Sequence, residues 1–258
     1  MTPNFFSNDS TIIDISTEPP TIRKVATGAA PIATGMLPDG SKYYTADFLG
    51  NSLSAIDTAS GTVTATVDLL GGVDGTGVGA TGLPIQTPVS PDGKWMVTAN
   101  VLFSKATILD TSTDTIVASL DCEPGCHGVQ WGAKEKGGYY AYVSSKFSNA
   151  LVVVDPDPNG DGDGHDAKVA GRVLLTKQFQ TEVDDRIIDH AGMGGQGVLA
   201  IPNVYNGWIQ QTVDTCGNHE DPCSDEVVKF LKKLTPSQKD PTGNPEDHKD
   251  KDHKDNKD

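Results

Sequence analysis

Apolar and polar residues alternate along this chain in short runs, which are separated by turns rich in glycine, proline and aspartate. The clearest unit covers residues 38–69, where a Pro-Asp-Gly turn is followed by runs at 43–47, 52–57 and 62–69. Alternation with a period of two is typical of strands, and the Asp-Thr-x-x-Gly segment before the last run is typical of a hairpin turn. The unit therefore predicts three consecutive strands joined by tight turns.

The same unit returns at residues 91–122 and 137–175. In all three copies a turn glycine lies 17 residues before the aspartate that ends the middle run. The glycines are Gly40, Gly93 and Gly138, and the aspartates are Asp57, Asp110 and Asp155. A short run before each turn, at 33–36, 86–89 and 126–129, predicts an innermost fourth strand, and a run that begins at Gln196 starts one more.

The spacing of these units predicts the fold class. Residues 8–27 match only the second half of the unit, and the equivalent aspartates Asp14, Asp57, Asp110 and Asp155 are 43, 53 and 45 residues apart. Periods of this length with four short strands each are typical of propeller blades. The longer interval contains a glycine-rich insertion at 71–83, which predicts a surface loop. We predict an all-β fold, a β-propeller of about four blades.

The blade boundaries leave the closure of the ring open. We expect half-blades at 8–27 and 194–213 and whole blades at about 30–69, 84–122 and 126–176. The two half-blades can pair and close a four-bladed ring, because closure removes open sheet edges. Alternatively, a protein partner or a second copy of the chain completes a larger propeller.

After the last half-blade the sequence no longer shows the alternating strand pattern of the blades. Residues 214–235 contain two cysteines and a short helix candidate that begins after Ser224 as its N-cap. Residues 236–258 are charged and contain no core-forming side chains, which predicts a disordered tail.

The net charge and the cysteines limit the partners and the cellular locations that the sequence is consistent with. The net charge of −15 argues against nucleic acid as a partner, and no apolar run is long enough to span a bilayer. The cysteines form two close pairs, Cys122 with Cys126 and Cys216 with Cys223, which predict two local disulfides. Disulfides favour a periplasmic, secreted or cell-surface location, although the sequence contains no signal peptide. Free or metal-binding thiols remain the alternative.

The blade strands resemble those of the YVTN family of β-propeller repeats, which is named after its Tyr-Val-Thr-Asn strand. Residues 44–47, 97–100 and 142–145 occupy that strand, and the resemblance covers about residues 8–210. Residues 125–157 and 192–210 are further similar to the propeller portion of proteins that also carry multicopper-oxidase-type cupredoxin domains. Nitrous-oxide-reductase-type propellers are more distantly similar. The His-Cys-His-x-x-x-His copper motif of those oxidases is absent from this sequence.

An acidic loop is the sharpest candidate for metal binding. Counted from Asp155, oxygen-bearing side chains fall at positions 1, 3, 5, 7, 9 and 12, with a glycine at position 6. This spacing matches the ligands of an EF-hand calcium loop. The candidate calcium ligands are Asp155, Asp157, Asn159, Asp161, Asp163 and Asp166. In the alternative interpretation Asp155 is only the blade aspartate, and a solvated hairpin tip follows it.

Two histidines form a second candidate site. His127 begins an innermost strand, which in a propeller faces the mouth of the central channel, and His190 precedes the next innermost strand. Neutral imidazoles are good ligands for copper. The alternative is that His127 forms a hydrogen bond to a loop of a neighbouring blade.

Two functions of different classes are consistent with these features. In the first, the chain is an extracytoplasmic binding or scaffold propeller that calcium stabilises. In the second, it is the propeller part of a copper-dependent oxidoreductase, with His127 and His190 contributing to metal binding or electron transfer.

Overall fold

Four antiparallel sheets make up the described part of the protein. The computed structural model describes residues 1–135, 137–148, 150–175, 195–198, 229 and 232–239. Within these ranges the strands form sheets of three or four members, each built from strands consecutive in the chain. The predicted all-β, propeller-like fold is therefore confirmed.

The sheets follow one another in chain order. Sheet I contains β1 (Thr2–Asn4), β2 (Asp9–Asp14) and β3 (Thr21–Ala26), and sheet II contains β4 (Pro31–Met36), β5 (Lys42–Asp47), β6 (Ser52–Asp57) and β7 (Thr62–Asp68). Sheet III contains β8 (Trp95–Asn100), β9 (Lys105–Asp110) and β10 (Thr115–Asp121). Sheet IV contains β11 (Cys126–Ala133), β12 (Tyr139–Ser145), β13 (Ala150–Asp155) and β14 (Lys168–Leu174). The aspartates Asp57, Asp110 and Asp155 end β6, β9 and β13, the strand before the last one in each sheet, as the repeat predicts.

Sheet I differs from the prediction, because it has three strands and not two. The additional strand β1 pairs with β2, from Thr2 opposite Thr11 to Asn4 opposite Asp9. It thus takes the place beside β2 that the closure scheme assigned to a strand of the C-terminal half-blade. The signal was present in the sequence, since residues 4–8 (Asn-Phe-Phe-Ser-Asn) match residues 47–51 (Asp-Phe-Leu-Gly-Asn).

The predicted innermost strand of sheet III is present only as isolated bridges, which pair Pro84 with Asn100 and Val89 with Met96. Pro88 lies between them and has no N–H to donate, so a continuous ladder cannot form there. The segment still lies beside the sheet, because the Ile85 N–H donates to the Ala99 carbonyl at 2.9 Å.

The loops of every sheet lie at two opposite ends of its strands, and corresponding ends carry the same kinds of connection. In sheet II, Asp47 pairs with both Pro31 and Ser52, and Ser52 pairs with Asp68. This end carries the hairpin between the second and third strands and the connections to neighbouring sheets, and we call it the hairpin face. Its segments are the hairpins 5–8, 48–51, 101–104 and 146–148 and the connections 27–30, 69–83 and 122–125. The opposite end carries the remaining turns, and we call it the turn face.

Asparagine side chains on the hairpin face link the hairpin of one sheet to the connection that leads to the next sheet. The Asn8 carboxamide oxygen accepts the Ala30 N–H at 2.8 Å, and Asn51 accepts the Leu83 N–H at 3.1 Å. Each asparagine lies in the hairpin of one sheet and binds the connection that leads to the next. The sheets are therefore arranged side by side with the same end facing the same way.

The innermost strands pack closely on one another. A Cβ atom at Gly35 in β4 would lie 1.6 Å from the Thr87 carbonyl oxygen of the next sheet. A Cβ at Gly128 in β11 would lie 2.5 Å from the Gln196 carbonyl oxygen, so residues 195–198 lie directly against the innermost strand of sheet IV. Trp131 is fully buried and donates its Nε1–H to the Pro88 carbonyl at 3.0 Å. These contacts between sheets form the centre of the core.

Several predictions fall on residues beyond those described. These are His190, the Cys216–Cys223 disulfide, the second strand of the C-terminal half-blade and most of the helix after Ser224. One difference is visible in the predicted tail: Pro236–Lys239 form a helical turn, α1. Gln238 in this turn is buried and donates its Nε2–H to the carbonyls of Lys134 and Gly138.

Candidate functional site

Asp155, the first residue of the predicted calcium loop, is bound to a lysine. Its carboxylate accepts a hydrogen bond from the Lys134 ammonium, and the two side chains are only 8% and 13% exposed. Lys134 also donates to the Asp157 carbonyl oxygen at 2.8 Å and lies 5.2 Å from the ring centroid of Tyr140. Asp155 is thus engaged as half of a buried ion pair, which supports its interpretation as a structural blade residue.

The following loop folds around Asp157. The Asp157 carboxylate accepts the N–H of Gly160 at 2.8 Å and that of Gly162 at 3.2 Å. Both glycines have positive φ angles, 78° and 84°, which only glycine adopts at little cost. Further along, Asn159 accepts the Asp161 N–H and Asp161 accepts the Asp163 N–H. The loop therefore turns its oxygen-bearing side chains onto its own backbone.

Asp166 lies near the other acids of the loop. Desolvation raises the pKa of its carboxyl group, and the negative charges of Asp161, Asp157, Asp163 and Asp155 raise it further. A cation in the loop would relieve this repulsion. However, within the described ranges no group of three or more His, Cys, Asp or Glu side chains is placed to hold a metal ion. Binding of a cation would therefore require the loop side chains to turn away from the backbone.

His127 forms a hydrogen bond to the next segment, as one of its two interpretations predicts. Its Nδ1 lies 2.9 Å from the Gln196 carbonyl oxygen. A carbonyl can only accept, so Nδ1 carries the proton in the neutral ring, and Nε2 retains a lone pair. The proposed second ligand, His190, lies outside the described residues, so the structure does not place the two histidines together.

The disulfide between Cys122 and Cys126 is present, as predicted. It closes the short connection between sheets III and IV on the hairpin face. Such a bond is compatible with a protein that works outside the reducing cytosol. None of the helices in the described ranges is long and apolar enough to cross a membrane.

A contact that sequence reasoning missed joins two loops across sheet III. The 3₁₀ turn Val73–Gly75 of the insertion and the 3₁₀ turn Gly164–Asp166 of sheet IV both pack against β10. His165 lies between two carboxylates, with Nδ1 2.7 Å from Asp163 and Nε2 2.9 Å from Asp74. Because β10 is the outer strand of sheet III, these loops cover a sheet edge that would otherwise be open.

This contact should depend on pH. The hydrogen bonds to Asp163 and then Asp74 raise the pKa of His165 above its usual value near 6.5. The stabilisation is therefore complete below about pH 6.5 and is lost as the pH rises through the raised pKa. We expect backbone amides of residues 73–77, after correction for intrinsic rates, to exchange with deuterium faster above this pH. His165→Gln should exchange fast at both pH values, and pH-independent protection in the unsubstituted protein would contradict the role of the histidine.

Exposed apolar side chains gather on the hairpin face, which sequence reasoning also missed. Phe6 lies in the hairpin of sheet I, Leu49 in that of sheet II, Leu102 and Phe103 in that of sheet III and Phe147 in that of sheet IV, and all are exposed. The signal in the sequence was the apolar residues that recur at hairpin tips, where polar residues are usual. Clusters of exposed apolar side chains are typical of interaction surfaces.

Comparisons with known proteins support the fold. No protein-family model matches the chain, and no curated protein matches it. Among solved structures, the chain is similar to "Kuenenia stuttgartiensis Hydrazine Synthase", a β-propeller-containing protein, with a TM-score of 0.50 and 20% sequence identity. The match covers 66% of this chain and 44% of that one, so the chain spans less than half the length of this neighbour. At this identity the likeness shows a propeller-like fold alone.

Proposed function

We propose that this chain is a non-catalytic β-propeller that binds or scaffolds a protein partner. The observation that carries the proposal is the apolar hairpin face, on which each of the four sheets presents phenylalanine or leucine to solvent. Keeping such side chains exposed is unfavourable in water, at roughly 25 cal/mol per Å² of apolar surface that a partner could cover. Because every one of the four sheets exposes such a side chain on the same face, these residues indicate a binding surface and not isolated exposed positions.

We place this activity outside the cytosol, in the periplasm, in the medium or at the cell surface. The support is the Cys122–Cys126 disulfide, since such bonds persist in oxidising compartments. The acidic composition suits a protein that stays dissolved at high concentration.

Calcium is proposed as a stabiliser of the loop between β13 and β14. The support is the oxygen-rich ligand set and the mutual repulsion around Asp166, which a hard divalent cation would neutralise. We assign the ligands to Asp157, Asn159, Asp161, Asp163 and Asp166 and leave Asp155 out, because Lys134 already neutralises its charge. Counted from Asp157, Gly162 falls at position 6, where a calcium loop needs glycine for its sharp turn.

One observation favours the copper-dependent alternative. The hydrogen bond from Nδ1 of His127 to the Gln196 carbonyl orients the ring, and the lone pair on Nε2 is the form of imidazole that binds metals. A single oriented histidine is a weak site, since copper centres in proteins use two or more nitrogen or sulfur ligands.

Metal analysis separates the two functions. We expect protein that has been exposed to Cu²⁺ and then dialysed to contain no copper above background by elemental analysis. The proposal fails if one copper per chain is retained and is lost in His127→Ala but kept in His165→Ala. His165 is a suitable control because it is also a partly exposed histidine, in a loop remote in sequence from His127.

A further inference from the structure

The exposed apolar side chains at the tips of the hairpin face together cover a large area. Six large side chains from four sheets are between 44% and 96% exposed: Phe6, Leu49, Leu70, Leu102, Phe103 and Phe147. At about 200 Å² for a large side chain, their exposed fractions amount to an area on the order of 700 Å². A standard protein interface buries roughly 800 Å² on each partner. The tips alone thus supply most of the area that one side of a stable dimer requires.

The charges of this face largely cancel within it. At the strand ends that border this face, three cations are paired with carboxylates: Lys24 with Asp9 at 3.4 Å, Lys105 with Asp121 at 2.6 Å and Arg172 with Glu123 at 2.8 Å. Lys146 lies 5.8 Å from the ring centroid of Phe147 and adds a positive charge next to an apolar tip. A face with this composition does not repel a second copy of itself.

The turn face is different. It carries an aspartate at nearly every turn: Asp39, Asp57, Asp92, Asp110, Asp157 and Asp161. If two copies met through their turn faces, these carboxylates would lie close together and repel each other. The hairpin face is the side on which apolar contact can be made without opposing this charge, and it leaves both acidic faces in water.

We propose that the hairpin face is the contact surface between two copies of this chain, which meet face to face about a two-fold axis. This arrangement is isologous, because each apolar tip meets the same kind of surface on the other copy. The inference rests on the proposed binding function and specifies its partner. It also differs from completion of the propeller by a second copy, in which sheet edges and not hairpin tips would meet.

Light scattering coupled to size-exclusion chromatography tests the proposal over a range of protein concentrations. We expect a mass of twice 27.2 kDa for the unsubstituted protein. Leu102→Asp and Phe6→Asp should each raise the dissociation constant about tenfold or more, because a carboxylate would be buried at the contact without a partner. Both side chains are exposed, so the variants should keep the circular dichroism and melting temperature of the unsubstituted protein.

Ile22→Asp is the matched control. Ile22 in β3 is 65% exposed, close to the 68% of Leu102, and lies on the outer strand of sheet I away from the hairpin tips. We expect this variant to remain a dimer. A monomer at all concentrations, or a dimer that Ile22→Asp breaks and Leu102→Asp does not, would overturn the inference.

Binding of the apolar tips to a lipid membrane is the other outcome that must be distinguished from dimerisation. Co-sedimentation with phosphatidylcholine vesicles that Phe6→Asp abolishes, from a protein that is monomeric in solution, would assign the tips to a membrane and overturn the dimer. The copper analysis is independent of these results. A monomer without copper would remove the dimer and leave the proposed function standing, whereas stoichiometric copper at His127 would remove the proposed function whatever the mass.

Discussion

Gly35→Ala is expected to lower the free energy of unfolding by more than about 4 kcal/mol, or to prevent folding altogether. The new methyl group would lie 1.6 Å from the Thr87 carbonyl oxygen and 2.6 Å from its carbon. These are backbone atoms of the adjacent sheet, so no side-chain rotation can relieve the overlap, and the two innermost strands must separate. Losses above 4–5 kcal/mol are exceptional for single substitutions, and overpacking of a close contact is one of the few causes that produce them.

Urea unfolding followed by circular dichroism measures this effect, with Gly171→Ala as its control. Gly171 lies in β14, and a Cβ there would have no heavy atom within 4 Å. Because alanine restricts the unfolded chain, we expect Gly171→Ala to be neutral or to stabilise by up to about 1 kcal/mol. Equal stability of Gly35→Ala and the unsubstituted protein would mean that sheets II and III do not pack through their innermost strands.

Asp155→Asn is expected to destabilise the protein by about 3 kcal/mol whether or not calcium is present. The substitution removes the carboxylate that neutralises Lys134, whose side chain is only 13% exposed. An ammonium left without its counter-ion in a buried position costs several kcal/mol, which is more than the intact pair gains. The measurement is urea unfolding in EDTA and in calcium, with the two free energies compared for each variant.

Asp157→Asn is the matched substitution in the same loop. Asp157 accepts two backbone N–H groups, and the amide of asparagine keeps one acceptor oxygen, so we expect a loss within about 1 kcal/mol in EDTA. In calcium the difference should grow, because the variant lacks a ligand charge. Stabilisation by calcium that disappears in Asp155→Asn and persists in Asp157→Asn would return Asp155 to the ligand set and contradict our assignment.

The candidate site divides into parts that local sequence predicted and parts that it could not. The Cys122–Cys126 disulfide was predictable because only three residues separate the two cysteines and keep them close, whatever the surrounding fold. Lys134 was not, since nothing in its neighbourhood indicates that it packs on an aspartate 21 residues later. The contact of His165 with Asp74 spans 91 residues and depends on two loops that meet over a third blade. Such partners follow only from the way the sheets are arranged.

The repeat by itself determined most of the described strands of this protein, because alternation and turn chemistry act over a few residues and recur in every copy. Asp57, Asp110 and Asp155 end their strands as predicted for that reason. Tertiary structure alone decided which loops meet, which carboxylates are neutralised and which face is left apolar. Those properties depend on how successive sheets lie beside one another, and that arrangement is set by contacts such as Gly35 with Thr87 between residues distant in the chain.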